Sequence, residues 1–200
     1  MNEDAAREDI AFIRRNIEQG REAAGTWSAD ILVWGVAIAA AYVGTYARIR
    51  GLWTVNPPWL WVACIALPWL YSLRRVWLRV AGVRSSLACS PVATTLWSLW
   101  LGCGITLSIL GLTAIAVGAR NDWWMSPVVA GVVGLCFFVS SSLCNLAWMR
   151  WVAVAWWAGS LALVVWRGAE SLLLMAALML VLFALPGIVL MRRRSLAGAA

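Results

Sequence analysis

Two hundred residues that are 63% hydrophobic and only 12% charged cannot clothe a water-soluble surface, so an ordinary soluble domain is excluded. The formal charge of +7 is carried by arginine alone, since the sequence holds no lysine and no histidine. These arginines sit at the ends of apolar segments, where topology signals and lipid-phosphate contacts are placed, and nucleic acid is not expected as a partner.

Residues 1–30 are rich in acids and lack the basic start and apolar run of a cleavable signal, so the first apolar helix is expected to direct insertion. Ala6, Ile10, Ile13 and Ile17 recur at helical spacing and predict a short amphipathic cytoplasmic helix over about Asn2 to Gln19. A spanning helix needs about 20 mostly apolar residues. Six such segments follow, at about 31–47, 57–73, 92–119, 127–148, 151–166 and 171–191, and a basic tail occupies 192–200. The fourth and fifth come from one apolar stretch, Pro127 to Trp166. Its turn falls either at Ser140–Asn145 or around Arg150, and the second gives better lengths. Asn56-Pro57, Ser90-Pro91 and Ser126-Pro127 each offer a capping side chain before a proline, as helix starts do. The expected fold is therefore an all-α polytopic bundle of six transmembrane helices preceded by the amphipathic helix.

With six spans, twelve arginines fall on the side of the termini and four on the other, which predicts cytoplasmic N- and C-termini. The sixteen tryptophans mostly flank the two boundaries, a depth that suits an apolar ring with one N–H. The arginine, alanine, glycine and tryptophan bias fits a GC-rich bacterial genome, hence an inner-membrane location. Leu67-Pro68 to Arg74 and Leu185-Pro186 to Arg192 share a pattern that Leu143 to Arg150 follows with Cys144 in place of proline. The pattern reads either as three related hairpins or as chance. Pro68 and Pro186 are candidate kinks. Gly104, Ser108, Gly111 and Gly118 form one small-residue stripe, and Ser126, Ala130 and Gly134 form another. Close helix packing is the default meaning of both, and a permeation groove would use the same residues.

Chemistry-bearing groups are scarce. Seven of the nine carboxylates lie in residues 1–30, Asp122 lies in a loop and Glu170 at a helix end, so all are placed outside the spans. No cofactor or metal site is expected, and no enzymatic activity. The five cysteines are odd in number, form no CxxC and lie in or near apolar segments rather than external loops, so they read as small hydrophobes rather than a disulfide framework. Ser141 and Asn145, within a Ser140–Asn145 polar cluster, and the deep tryptophans Trp69, Trp100, Trp156 and Trp157 make up the candidate intramembrane site. The serines and asparagine either bond neighbouring helices or hold a ligand. The tryptophans either face lipid or cage a lipophilic cation.

The cytoplasmic face is the other candidate. Ile10, Ile13 and Ile17 of the tail, with Arg74, Arg75, Arg79 and Arg84 of the second connection, could form a docking surface for a protein partner or a second copy. The acidic Asp9-Ile10-Ala11-Phe12-Ile13-Arg14 segment and the closing Leu185-Pro186-Gly187 before an arginine run resemble the ends of small multi-pass bacterial inner-membrane proteins of uncharacterised role. That resemblance covers the two ends alone and implies no activity. The leading expectation is a non-catalytic interaction or regulatory subunit embedded in the bilayer. The alternative is a small transporter or channel for an apolar or weakly polar solute.

Overall fold

The computed structural model describes residues 3–80, 91–117 and 124–197, and for most of 3–26 and for 79–80 and 193–197 it describes the backbone alone. Within these residues the chain is all helix, with no strand. The helices are α1 (Glu3–Ile49), α2 (Pro57–Val80), α3 (Pro91–Ala116), α4 (Met125–Leu143), α5 (Ala147–Val165), α6 (Glu170–Leu178) and α7 (Leu185–Ala197). A π-helical segment, Met179–Ala184, joins α6 to α7 without a break, so the described chain makes six rods.

The expected separate amphipathic helix is corrected by α1, which runs unbroken for 47 residues from the tail through the first apolar segment. Nothing in the sequence between Gln19 and Ile31 stops a helix. Gly20 and Gly25 cost only about 1 kcal/mol each and no proline intervenes. The side chains of Ile10, Ile13 and Ile17 lie outside the described residues, so their seam is placed only as part of this helix.

The rods alternate in direction. Asp30 of α1 meets Arg75 of α2, and Thr45 of α1 meets Trp61 near the start of α2, so the two helices are antiparallel over the same depth. Trp27 stacks on Trp97 of α3, Tyr42 meets Ser126 of α4, and Ser160 of α5 reaches Pro127. Arg50 pairs with Glu170, while Gly187 lies against Ser28 and Leu32, so the last rod returns to the end where α1 enters the bundle. The two ends are called below the Asp30 end and the Arg50 end.

Five segments are long and apolar enough to cross a membrane: Trp27–Ile49, Pro91–Ala116, Met125–Leu143, Ala147–Val165 and Glu170–Arg192. The helix α2 covers the same depth but is less apolar. Pro57, Pro58, Pro68, four tryptophans and the Arg74–Arg75 pair dilute its aliphatic residues. The outer surface is apolar along its length, with Leu70, Ile109, Leu161 and Val181 among its exposed side chains. Large exposed tryptophans sit at both ends: Trp59 and Trp166 at the Arg50 end, Trp77 and Trp151 at the other. These features are compatible with an integral membrane protein.

The turn between α4 and α5 falls at Cys144–Leu146, the earlier of the two positions the sequence allowed, and not around Arg150. Asn145 takes φ 50°, a left-handed conformation that asparagine tolerates better than most residues. Both helices are then 19 residues long, enough to span with little tilt, and Arg150 falls inside the first turns of α5. The Ser140–Asn145 cluster therefore sits at the Asp30 end rather than in mid-bundle. At the other end, α4 begins at Met125, ahead of the expected Ser126-Pro127 start. Ser126 does not cap it, and its hydroxyl donates to Tyr42 Oη at 3.3 Å.

Candidate functional site: an apolar cavity between α1, α2, α3, α4 and α6

The core is built where glycines let helices approach. A Cβ on Gly187 would come within 2.8 Å of the Ser28 carbonyl oxygen and 3.0 Å of the Leu32 nitrogen, so α1 and α7 touch backbone to backbone. Gly35 faces the Ala184 backbone nitrogen in the same way. On the far side, Gly134 receives the Trp157 ring and Gly159 receives Leu178. Phe137, Ala153, Trp156 and Met175 are fully buried between these contacts.

The π-helical segment has a local cause. Pro186 has no N–H and cannot serve the carbonyl four residues earlier, that of Leu182. The helix widens just before it, with the Leu185 N–H bonding Leu180 O. Trp156 Nε1 donates to the Leu182 carbonyl at 3.2 Å, giving that oxygen a partner. Pro186 thus directly follows the irregular turn of this rod. Pro68 is fully buried inside an uninterrupted α-helix. The three segments that share the Leu-Pro pattern therefore have three different local structures, since Leu143 to Arg150 contains a turn.

The helix α3 stands apart from the tight half. Leu96 is its one buried residue among those described, against eight in the shorter α4. Between α3 and the rest lies a cavity of about 830 Å3. Each neighbouring rod lends it one helical stripe: Trp34, Ile38, Tyr42 and Thr45 from α1; Pro57, Trp61 and Ile65 from α2; Gly104, Ser108 and Gly111 from α3; Ser126, Val129 and Val133 from α4. Trp100, Met179 and Phe183 close its deep end, and Arg48 and Asn56 stand at the Arg50 end. The small-residue stripe of α3 is thus the cavity wall. The nearest neighbour of a Cβ at Gly111 would be the tip of Ile65 at 3.8 Å, and at Gly104 the edge of Trp69 at 3.4 Å. Gly118 lies outside the described residues. Of the second stripe, Ser126 lines the cavity, whereas Ala130 is fully buried and Gly134 packs against α5.

Hydrogen bonds hold the cavity rim together. Trp61 Nε1 donates to Thr45 Oγ1 at 3.1 Å, and Trp69 Nε1 donates to Ser108 Oγ at 2.9 Å. Tyr42 and Trp61 meet edge to face at 5.0 Å. The Cys103 and Cys136 thiols meet across α3 and α4, and both are free, as are Cys64 and Cys144. Cys89 lies outside the described residues.

The candidate tryptophans do not surround one space. Trp69 meets Trp34 edge to face, as Trp100 meets Phe137 and Phe183 and Trp156 meets Phe183, while Trp157 lies tilted against Phe138. Their indole N–H groups go to four separate acceptors: Ser108, Ser140, Leu182 O and Gly131 O. Of the four, Trp100 alone lines the cavity. Ser141 donates to Phe138 O within its own helix at 2.7 Å, and Asn145 is exposed in its turn. No cluster of three or more histidine, cysteine or carboxylate ligands occurs among the described residues.

Two ion pairs mark the ends. Arg75 pairs with Asp30, which also accepts from Ser72 Oγ at 3.0 Å, and both charged side chains are mostly buried. Asp30 was placed outside the spans by sequence, yet it lies within the Trp27–Ile49 segment. Arg74, by contrast, is exposed, the Arg79 side chain is outside the described residues, and so is Arg84 altogether. At the opposite end Arg50 pairs with Glu170 in the open, and its Nε donates to Tyr46 Oη at 3.2 Å. The Tyr46 hydroxyl first, and Glu170 after it, hold this guanidinium further into its charged range. No protein-family model, no curated protein and no solved structure matches the chain.

Proposed function

We propose that the protein is a six-span integral membrane protein of a bacterial inner membrane that binds an apolar solute in this cavity, without catalysis. The observation that carries the reading is the 830 Å3 space itself, within the usual range of about 300–1,000 Å3 for small-molecule sites. It is lined by aromatic and aliphatic side chains with a few hydroxyls, and its wall is made of residues small enough to leave it open. Counting α2 as a span rests on its antiparallel run beside α1 over the same depth. Arginines 74, 75, 150 and 192 fall at the Asp30 end and arginines 48, 50 and 167 at the other, which favours cytoplasmic termini. Carriage of such a solute across or within the bilayer is the natural role for a cavity of this kind.

The test uses the purified intact protein in a non-ionic detergent with hexadecanol as an apolar probe. Ligand that binds the folded state raises its unfolding temperature, by an amount that grows with the logarithm of ligand concentration above Kd. Stabilisation of the native protein that vanishes in Gly111→Leu supports the reading. An unfolding temperature indifferent to the probe overturns it.

A second reading, a docking subunit, is favoured by one feature. The rod α1 starts at Glu3, 24 residues before the span at Trp27, and an unbroken helix of that length reaches roughly 36 Å beyond it. Such an arm suits a protein partner or a second copy of the chain. Co-purification of a partner, or a dimer, lost on removal of residues 1–22 would support it. One lone species from both versions would sink it.

A further inference from the structure

We infer that the cavity takes an alkyl-chain amphiphile and selects for an anionic head, held by Arg48 at the Arg50 end; this rests on the solute-binding reading above. Arg48 is the one charged residue among those lining the cavity, and no carboxylate shares the lining. It has no hydrogen-bond or ion-pair partner among the described residues. Its neighbour Arg50, two residues on, is already occupied by Glu170 and Tyr46. The exposed guanidinium therefore presents its five donors to whatever enters, and a carboxylate, sulfate or phosphate head matches that fork. Asn56 lies beside the same mouth and adds an amide that can donate to an anion.

Shape selects the rest of the ligand. From Arg48 the α1 stripe descends to Trp34, 14 residues and so roughly 21 Å along the helix, with no charged side chain on the way. That exceeds the roughly 15 Å that one leaflet contributes to a 30 Å hydrocarbon core, so the path is long enough for the acyl chain of a membrane amphiphile. At roughly 30 Å3 per water-sized group, the space holds on the order of 30 such groups. One long alkyl chain and its head fit within that number. A lipophilic cation is disfavoured twice, by the unpartnered Arg48 and by the missing lining carboxylate.

The experiment measures equilibrium binding of radiolabelled palmitate and hexadecanol to the full chain in a non-ionic detergent. The pH is 8.5, where the carboxylate is ionised. Native protein is expected to hold palmitate about tenfold more tightly than hexadecanol, the gain of one charge-assisted contact. Arg48→Gln is expected to remove that preference while leaving hexadecanol binding unchanged. Gly111→Leu is expected to weaken both. Equal binding of the two probes by native protein, still blocked by Gly111→Leu, overturns the anion selectivity and leaves the solute-binding reading standing. A preference that survives Arg48→Gln removes Arg48 from the site. Binding of neither probe overturns both readings together.

Discussion

The two halves of the bundle use the same kind of residue to opposite ends. In α4, Gly134 admits the α5 helix, and Trp157 closes over it. In α3, Gly104, Ser108 and Gly111 face a gap that α2 crosses with side-chain tips alone. Small residues permit approach but do not compel it. What differs is the partner. The α5 helix meets α4 with Trp157 laid against Gly134 and Ser160 bonded to the Pro127 carbonyl, whereas α2 reaches α3 only with the tips of Ile65 and Trp69. Without a hydrophobic drive between helices in lipid, only a fit on both sides pulls them together.

That contrast orders the expected effects of mutation. The largest belongs to the α1–α7 crossing. Gly187→Leu drives a side chain into the Ser28 and Leu32 backbone, which cannot yield as a side chain can. We expect about 3 kcal/mol of destabilisation or loss of folded protein, read by size-exclusion profile and unfolding in detergent. Retention of a native profile would show that the two rods are not in backbone contact.

Next comes Asp30→Asn, which strips the mostly buried Arg75 of its counter-charge. A cost of about 2 kcal/mol is expected, below the 3–5 of a fully buried pair because water still reaches both groups. Adding Arg75→Gln should recover most of it, and a double mutant no better than the single would deny the pairing. Trp156→Phe should cost about 1–2 kcal/mol by leaving the Leu182 carbonyl without its donor. Adding Pro186→Ala in that background supplies a backbone N–H for the carbonyl and should soften the loss. At the exposed end, Arg50→Ala is expected to leave the unfolding temperature unchanged, because solvent screens its pair with Glu170.

The rods themselves were legible in sequence, because apolar runs and arginine punctuation repeat at membrane length. Asn145 even carried the clue to the α4–α5 turn, as a residue at ease with positive φ, although segment lengths argued for Arg150. The continuity of α1 was hidden by a change of composition, from acidic to apolar, that has no effect on the backbone. Partnerships distant in sequence were not legible. Asp30 finds Arg75 across 45 residues, and Trp156 serves a carbonyl whose usual donor Pro186 has removed. The cavity was present only as an ambiguity, since a stripe such as Gly104-Ser108-Gly111 reads the same whether its neighbour comes close or stays away.

The most direct test of the account compares Gly111→Leu with Gly134→Leu in one thermal-unfolding experiment on purified protein. At Gly111 the added side chain enters open space beside Ile65, so stability should be unchanged or raised. At Gly134 it meets the Trp157 ring within 2.8 Å and the Trp156 Cβ at 3.1 Å, so the unfolding temperature should fall sharply. Equal losses at the two positions would contradict the account, because α3 would then be packed as closely as α4 and there would be no cavity to fill.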